Sequence, residues 1–270
     1  MRKALYFCFN SEYLDQFKVL AYTLNKFGKI PADVDWFVFS PDVDYVDYVD
    51  YAENATVIKT SCEYKTDFDG EPYQNSDDKL FGAQWLANKG YNQALYLDCD
   101  IVINGDISEL FNAIECDIAA VKEYFYPDNY LLHPVYLDTM CINERYFNSG
   151  VMVINLKSDF LFKRLHDPNR SNDLIINRKW RDQEWLNFRF KNASIKELPK
   201  KFNWKPEGYA PLCDNDLSDH MNSLKDAVIV HFAGKAKPWK KAPITVFSYE
   251  FEQVPYELYR EVTDSITANR

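Results

Sequence analysis

Two aspartates follow a short apolar run near the middle of the chain. Residues 95–97 read Leu-Tyr-Leu, and Asp98 and Asp100 come next with only Cys99 between them. The apolar run is typical of a buried strand, so both carboxylates fall where that strand emerges at a sheet edge. Two carboxylates one residue apart form an oxygen-rich site for a hard divalent cation. The alternative is that they cap the next turn, and we favour metal binding.

A histidine closes a second apolar run late in the chain. Residues 227–232 read Ala-Val-Ile-Val-His-Phe, and a turn with Gly234 and Lys237 follows His231. A lone histidine at a strand end is usually structural, but such a turn can surround a phosphate with N–H groups and ammonium charge. An imidazole that joins two carboxylates suits Mn²⁺ better than Mg²⁺. Together these groups predict a site for a metal–diphosphate.

Two further polar pairs stand beside predicted elements. Asn148 and Ser149 precede an apolar strand, where a tight turn is the simpler interpretation. Asp182 and Gln183 lie in the first turn of a predicted helix, where Asp182 as a plain N-cap is the simpler interpretation. Neither pair indicates a function by itself.

The composition limits the classes of protein that remain. The chain has 270 residues, 47% of them hydrophobic, and a net charge of −10, which argues against a nucleic-acid partner. Its six cysteines form no C-x-x-C pair, which is typical of thiols in a reducing compartment. No apolar stretch approaches membrane-spanning length. We therefore expect a cytoplasmic globular protein without direct membrane insertion.

The elements that must position these groups alternate between strands and helices. Asn10 can cap a helix that follows the first strand, and a second helix is predicted over 79–89. The β-α-β-β-α-β order predicts an α/β fold with a mainly parallel sheet, helices on both faces, and ligands at the carboxyl ends of the strands. The predicted strands are 3–9, 35–40, 55–59, the run before Asp98, 117–122, 150–156 and 227–232. The later predicted helices cover 157–167, 170–178, 182–190 and 247–267.

Four motifs in this order resemble glycosyltransferase family 8, which includes glycogenin and bacterial lipopolysaccharide galactosyl- and glucosyltransferases. They are Leu-Tyr-Leu-Asp-x-Asp (95–100), Phe-Asn-Ser-Gly-Val (147–151), Asp-Gln-x-x-Leu-Asn (182–187) and His-Phe-x-Gly-x-x-Lys-Pro-Trp (231–239). The resemblance implies a single GT-A domain over 1–270. Its nucleotide-binding half would cover about 1–105 and its acceptor and catalytic half about 106–245, before the C-terminal helix.

The resemblance also implies site roles. Asp98, Asp100 and His231 would bind Mn²⁺, with Mg²⁺ as the alternative. Asn10 and Tyr13 would meet the uracil of a UDP-sugar, and Gln183 and Asp182 would be the catalytic residues, with Gln183 near the anomeric carbon. The whole implied donor-binding set is Phe7, Phe9, Asn10, Tyr13, Lys79, Asp98, Cys99, Asn148, Ser149, Asp182, Gln183, Gly234 and Lys237.

The implied activity is a retaining transfer of glucose or galactose from a UDP-hexose to a hydroxyl of a saccharide, glycolipid or glycoprotein. Two alternatives stay open: a haloacid-dehalogenase-like phosphatase with Asp98 as nucleophile, and a catalytically silent nucleotide-sugar binder. A front-face reaction is preferred over a covalent intermediate on Asp182, since Gln183 is a poor nucleophile. The acceptor and the oligomeric state are left open.

Overall fold

The computed structural model of the chain describes residues 1–60, 65–66, 72–73, 76–123, 146–162, 183, 186–187, 190–206, 222–233, 237–239, 245–246, 249–250, 259–261 and 263–264. Asp182, Gly234, the helix predicted over 170–178 and most of the one predicted over 182–190 lie outside the described residues. The helix predicted over 157–167 is described only for residues 157–162, where a short 3-10 helix covers Asp159–Leu161.

The described strands and helices follow the alternating order. The strands are β1 (Lys3–Cys8), β2 (Val34–Ser40), β3 (Ala55–Lys59), β4 (Lys65–Thr66), β5 (Pro72–Tyr73), β6 (Gln93–Leu97), β7 (Ile101–Ile103), β8 (Ile118–Lys122), β9 (Phe147–Asn155), β10 (Ile195–Glu197), β11 (Ile229–His231), β12 (Thr245–Val246) and β13 (Tyr249–Glu250). The α-helices are α1 (Leu14–Phe27) and α2 (Ser76–Asn88). Short 3-10 helices cover Ser11–Tyr13, Tyr45–Asp47, Ser108–Phe111, Asp159–Leu161, Lys200–Phe202 and Ser223–Asp226.

A seven-stranded sheet in the order β10-β8-β9-β6-β1-β2-β3 forms the centre of the molecule. β1 pairs in parallel with β2 and β6, β2 with β3, and β8 with β10, whereas β9 runs antiparallel between β6 and β8. The central strands are near-continuous apolar runs because both faces of the sheet are covered. The predicted mainly parallel α/β sheet is confirmed.

The two α-helices cover opposite faces of this sheet. Leu5 and Phe7 of β1 belong to the same core cluster as Phe17 of α1. Tyr6, which points to the other face, belongs to a second cluster with Ala83 of α2. The alternation of side chains along β1 therefore separates two hydrophobic cores, as predicted for helices on both faces.

A second, two-stranded sheet carries the histidine. β7 leaves the central sheet after Asp100 and pairs antiparallel with β11, and His231 lies opposite Ile101. Val102 and Val230 pack with Trp204 in a third core cluster, which anchors this sheet against the rest of the molecule.

Three local predictions are corrected. Asn10 makes no side-chain cap bond, since the Tyr13 N–H bonds to its backbone oxygen instead. β9 begins at Phe147, so Asn148 and Ser149 lie inside a strand and not in a turn before one. Tyr249–Glu250 pairs with Thr245–Val246, so the C-terminal helix cannot cover those residues; helix is described only at 259–261 and 263–264.

Within the described ranges, no helix has both the length and the apolarity needed to cross a membrane.

Candidate active site

Three candidate metal ligands meet where the two sheets join. Asp98 follows β6, and its backbone N–H donates to Gly150 O on β9 at 2.9 Å. The pairing of β7 with β11 brings His231 next to Asp100. His231 Nε2 lies 3.2 Å from Asp100 Oδ1 and 3.8 Å from Asp98 Oδ2. One ligand atom from each residue lies within 4.8 Å of the other two, so the folded chain assembles the predicted triad.

The other ring nitrogen of His231, Nδ1, is hydrogen-bonded on the side away from the aspartates. His231 Nδ1 lies 2.8 Å from Asn203 Oδ1, and Asn203 Nδ2 lies 2.8 Å from Asn148 Oδ1. Because Asn203 donates through its nitrogen to Asn148, its oxygen faces the imidazole and accepts the Nδ1 proton. That bond leaves Nε2 as the nitrogen that faces the carboxylates, which is the arrangement of metal-binding histidines.

Each aspartate is paired with a lysine. Lys79 Nζ lies 2.9 Å from Asp98 Oδ1, and the Tyr96 hydroxyl donates to the same oxygen at 2.6 Å. Lys237 Nζ donates to Asp100 Oδ2. Cationic and anionic groups thus alternate over a few ångströms, which is the environment that a metal and a diphosphate require together.

The protonation states of this cluster follow from its charges. Burial alone would raise the pKa of Asp100, but His231 and Lys237 outweigh it and hold the pKa well below its usual range. Burial raises the pKa of Tyr96 and of Cys99, and nearby carboxylates raise both further. The site therefore holds an ionised Asp100, a neutral phenol and a neutral thiol, so Cys99 serves as a spacer and not as a nucleophile.

Gly150 leaves room for the cluster. A Cβ atom at Gly150 would lie 2.2 Å from His231 Cε1 and 3.0 Å from Asp98 Oδ2. Any side chain there would displace the candidate ligand His231, so the glycine of the Asn-Ser-Gly motif is explained by its close approach to the cluster.

A buried network of polar side chains lies beside the triad. Gln183 Oε1 accepts from Asn148 Nδ2 at 2.9 Å and from the Ser149 N–H at 3.2 Å. Asn148 Nδ2 also donates to Glu123 Oε2 at 2.8 Å. Lys205 Nζ forms an ion pair with Glu123 Oε1. The structure therefore brings together three of the residues implied to bind the sugar donor. Asn148, Ser149 and Gln183 form one wall beside the triad.

Sequence reasoning missed Glu123, Asn203 and Lys205. Glu123 comes directly after the apolar strand β8, which is the same signal that singled out Asp98 after β6. Asn203 and Lys205 follow a short 3-10 helix and belong to no periodic pattern, so no local signal marks them.

The residues implied for the nucleotide divide into two groups. Asn10 is buried, yet its Oδ1 atom finds no hydrogen-bond partner within the described part of the chain. Tyr13 is 39% exposed. Phe7 and Phe9, by contrast, are fully buried and pack against Phe17, with ring centroids 5.0 and 4.6 Å apart. Their side chains form core, which leaves only their backbone for a ligand.

Comparisons with known proteins agree with this geometry. The family model described as "Glycosyl transferase family 8" matches residues 4–242. The chain is 29% identical over 160 residues to a lipopolysaccharide 1,2-glucosyltransferase of Escherichia coli, covering 54% of this chain and 44% of that protein. It is 30% identical over 155 residues to a lipopolysaccharide 1,3-galactosyltransferase of Salmonella typhimurium, covering 55% and 44%. The chain thus spans about half the length of the curated relatives it matches.

A solved structure extends the likeness to the fold. The galactosyltransferase LgtC in complex with donor and acceptor sugar analogues superimposes with a TM-score of 0.68 at 20% identity, covering 97% of this chain and 95% of that one. The four sequence motifs occur in the order typical of the family, and the match to the family model covers nearly the whole chain. The chain belongs to glycosyl transferase family 8.

Proposed function

We propose that the chain is a retaining, Mn²⁺-dependent hexosyltransferase that moves glucose or galactose from a UDP-sugar to a hydroxyl of a saccharide or glycoconjugate. The observation that carries the proposal is the cluster of Asp98, Asp100 and His231, with one ligand atom of each within 4.8 Å of the others. The relatives, a lipopolysaccharide glucosyltransferase and a lipopolysaccharide galactosyltransferase, support the same class of reaction.

The ligand set fits a divalent metal. Two carboxylates with one imidazole nitrogen favour Mn²⁺, and Mg²⁺ is the alternative. A bound Mn²⁺ would act as a Lewis acid that offsets the negative charge growing on the departing UDP. Lys237, already beside Asp100, would add its positive charge to the same diphosphate, together with the backbone at Gly234.

The nucleotide would lie over the carboxyl end of β1. Asn10 Oδ1 is a buried acceptor that no described residue satisfies, so it is suited to accept the N3–H of uracil. Tyr13 keeps an exposed face on which a base can stack.

The sugar would face the wall formed by Asn148, Ser149 and Gln183. Gln183 Oε1 already accepts two hydrogen bonds, which makes it a poor nucleophile and favours a front-face reaction. The acceptor hydroxyl would then attack the anomeric carbon from the side that UDP leaves. Its proton would pass to the departing phosphate oxygen as the old bond breaks. Asp182 is the alternative nucleophile, in a double displacement.

The test is UDP release across a set of UDP-hexoses with Mn²⁺, with and without saccharide acceptors, for the wild type and Asp100→Ala. We expect at least a hundredfold loss (about 3 kcal/mol of charge stabilisation) in the variant. Asp106→Ala is the control, because Asp106 also pairs with a lysine, Lys29 at 3.2 Å, but lies at the surface away from the triad. Normal Mn²⁺-dependent release by Asp100→Ala would refute the metal assignment.

The same assay, extended with a phosphomonoester substrate, separates the alternatives. A phosphatase would release inorganic phosphate from a phosphomonoester, and a silent binder would retain the UDP-sugar unchanged. Asp98 is an unfavourable phosphatase nucleophile, since its Oδ1 atom already accepts from both Lys79 and Tyr96.

A reducing, cytoplasmic location is also proposed, supported by the reduced thiols of Cys99 and Cys116.

A further inference from the structure

We propose that the buried ion pair of Glu123 and Lys205 is a positioning device for the transfer reaction. It would fix the orientation of two amides, Asn148 and Gln183, and through Asn148 the orientation of the metal ligand His231. This inference rests on the proposed function, because it assigns a role to residues that surround the same site.

The pair is almost completely removed from water. Glu123 is 7% exposed and Lys205 is 4% exposed. Glu123 stands at the end of β8, where its backbone N–H donates to Tyr146 O at 2.8 Å. Lys205 arrives from the segment after the 3-10 helix at Lys200–Phe202 and donates to Glu123 Oε1. A buried carboxylate is stable only if its other oxygen is also bonded, and here Glu123 Oε2 accepts from the two amides.

Glu123 determines which way the two amides point. Its Oε2 atom accepts from Asn148 Nδ2 at 2.8 Å and from Gln183 Nε2 at 3.5 Å. A carboxylate only accepts hydrogen bonds, so each amide must turn its nitrogen toward Glu123. Gln183 Oε1 is thereby turned toward the Ser149 N–H, and the wall proposed to face the sugar has one defined pattern of donors and acceptors.

The same constraint reaches the metal ligand. Because Asn148 Nδ2 faces Glu123, Asn148 Oδ1 faces the Gly150 N–H at 2.9 Å and Asn203 Nδ2 at 2.8 Å. Asn203 Oδ1 is therefore left to accept from His231 Nδ1 at 2.8 Å. If Asn148 turned over, Asn203 would meet a donor in place of an acceptor, and the bond that keeps His231 Nε2 toward the aspartates would be lost.

Both Glu123 oxygens are already engaged, one by Lys205 and the other by the two amides. Glu123 is therefore a positioning residue that acts through its neighbours and not a nucleophile. Lys205 neutralises the buried charge and holds the carboxylate in the rotamer that reaches both amides.

The test is a double-substitution cycle of Glu123→Gln and Lys205→Met on the full chain. In Glu123→Gln the new amide has one oxygen and one NH₂ group. Its NH₂ group must face either the Lys205 ammonium or the NH₂ groups of Asn148 and Gln183, and in both orientations two hydrogen-bond donors would point at each other. Mn²⁺ affinity, measured by electron paramagnetic resonance without donor or acceptor, should fall about 10- to 100-fold. The double variant should recover to within about threefold of the wild type, because its new amide can turn the nitrogen away from Asn148.

A second readout needs neither metal nor activity. The ¹H–¹⁵N signal of His231 Nδ1–H, assigned with His231→Asn among the four histidines, should be protected from solvent exchange in the wild type and unprotected in Glu123→Gln. This signal tests the positioning role even if no UDP-hexose is used, so its failure and a failure of the proposed function are distinguishable. If Lys205→Met alone does not fold, Glu123→Gln and the double variant still complete the test.

The control is the surface pair of Glu109 and Lys201, 2.9 Å apart, whose lysine lies four residues before Lys205. Glu109→Gln and Lys201→Met should leave Mn²⁺ affinity and the His231 signal unchanged. The proposal is overturned if Glu123→Gln keeps wild-type Mn²⁺ affinity and a protected His231 proton. It is also overturned if the double variant is no better than Glu123→Gln, or if Glu123→Gln changes only the KM for the acceptor.

Discussion

Gly150 is the point at which strand β9 approaches two candidate metal ligands, His231 and Asp98, most closely. Its Cβ position is occupied by the edge of the His231 ring, and Asp98 Oδ2 lies just beyond. β9 pairs with β6 from Val151 onward, and Gly150 O itself accepts from the Asp98 N–H at 2.9 Å, so the backbone of β9 is held close to the cluster at this point. The absence of a side chain at Gly150 is therefore needed for the arrangement of the Asp98–Asp100–His231 cluster.

Gly150→Ala should bind Mn²⁺ at least tenfold more weakly than the wild type, because His231 must rotate or shift to avoid the new methyl group. Calorimetric or paramagnetic titration with Mn²⁺ measures this. Gly105→Ala is the matched control, since a Cβ there would meet Val228 at an ordinary 3.6 Å. Wild-type Mn²⁺ affinity in Gly150→Ala would show that His231 is not a ligand in its present position.

The sequence predicts candidate site residues well where they stand at the end of an apolar strand. Asp98, Asp100 and His231 stand at the ends of apolar runs, and the structure brings them together as expected. Asn203 and Lys205 could not be predicted, because their roles depend on side chains distant in sequence that meet only in the folded chain.

The pairing of β7 with β11 shows what strand patterns do and do not determine. The sequence predicts β11 within 227–232 but predicts no strand over 101–103, because three apolar residues are too few to show a period. Nothing in an apolar run says which strand is its neighbour, and the departure of β7 from the central sheet was not predicted. The start of the C-terminal helix was wrong for a related reason, because the β12–β13 hairpin is too short to show a period.

The junction between α2 and β6 offers a test of element packing through pH. Tyr91 follows the α2 C-terminus, donates to Asp35 on β2, and carries the Arg2 guanidinium 4.0 Å over its ring. Burial, together with the bond to Asp35, raises the pKa of Tyr91 to about 12. The junction therefore joins α2, β2 and the N-terminus through a phenol that stays neutral in the folded chain.

The raised pKa of Tyr91 determines whether its contribution to the unfolding free energy falls or rises with pH. The folded chain keeps the Tyr91 proton above pH 10, where the unfolded chain loses it, so this contribution is complete below about pH 10 and is lost toward pH 12. Between pH 8 and pH 11 the wild type should lose about 1 kcal/mol more unfolding free energy than Tyr91→Phe. Urea unfolding at both pH values measures this difference. A parallel fall in the two proteins would contradict it.

In the whole molecule, the site draws on both sheets and on both faces of the central sheet. Lys79 comes from α2 on one face, Asn10 precedes α1 on the other, and His231 comes from the small sheet. Opening of α2, β6 or β11 would therefore disturb the cluster. Ligands that bind this cluster should consequently stabilise the entire fold and not one segment.

Mn²⁺ together with UDP should therefore raise the unfolding temperature of the wild type. At ligand concentrations about 100-fold above the dissociation constant the stabilisation is about 2.7 kcal/mol, which corresponds to roughly 5–10 °C for a chain of this size. Differential scanning calorimetry should show this shift with both ligands and a smaller one with either alone, because the diphosphate would bind both the metal and the neighbouring lysines. The Asp98→Ala/His231→Ala variant should show no shift, and chelation with EDTA should return the wild type to its starting value. A full shift in that variant would mean that metal and nucleotide bind elsewhere on the molecule, and the cluster at the junction of the two sheets would lose its assigned role.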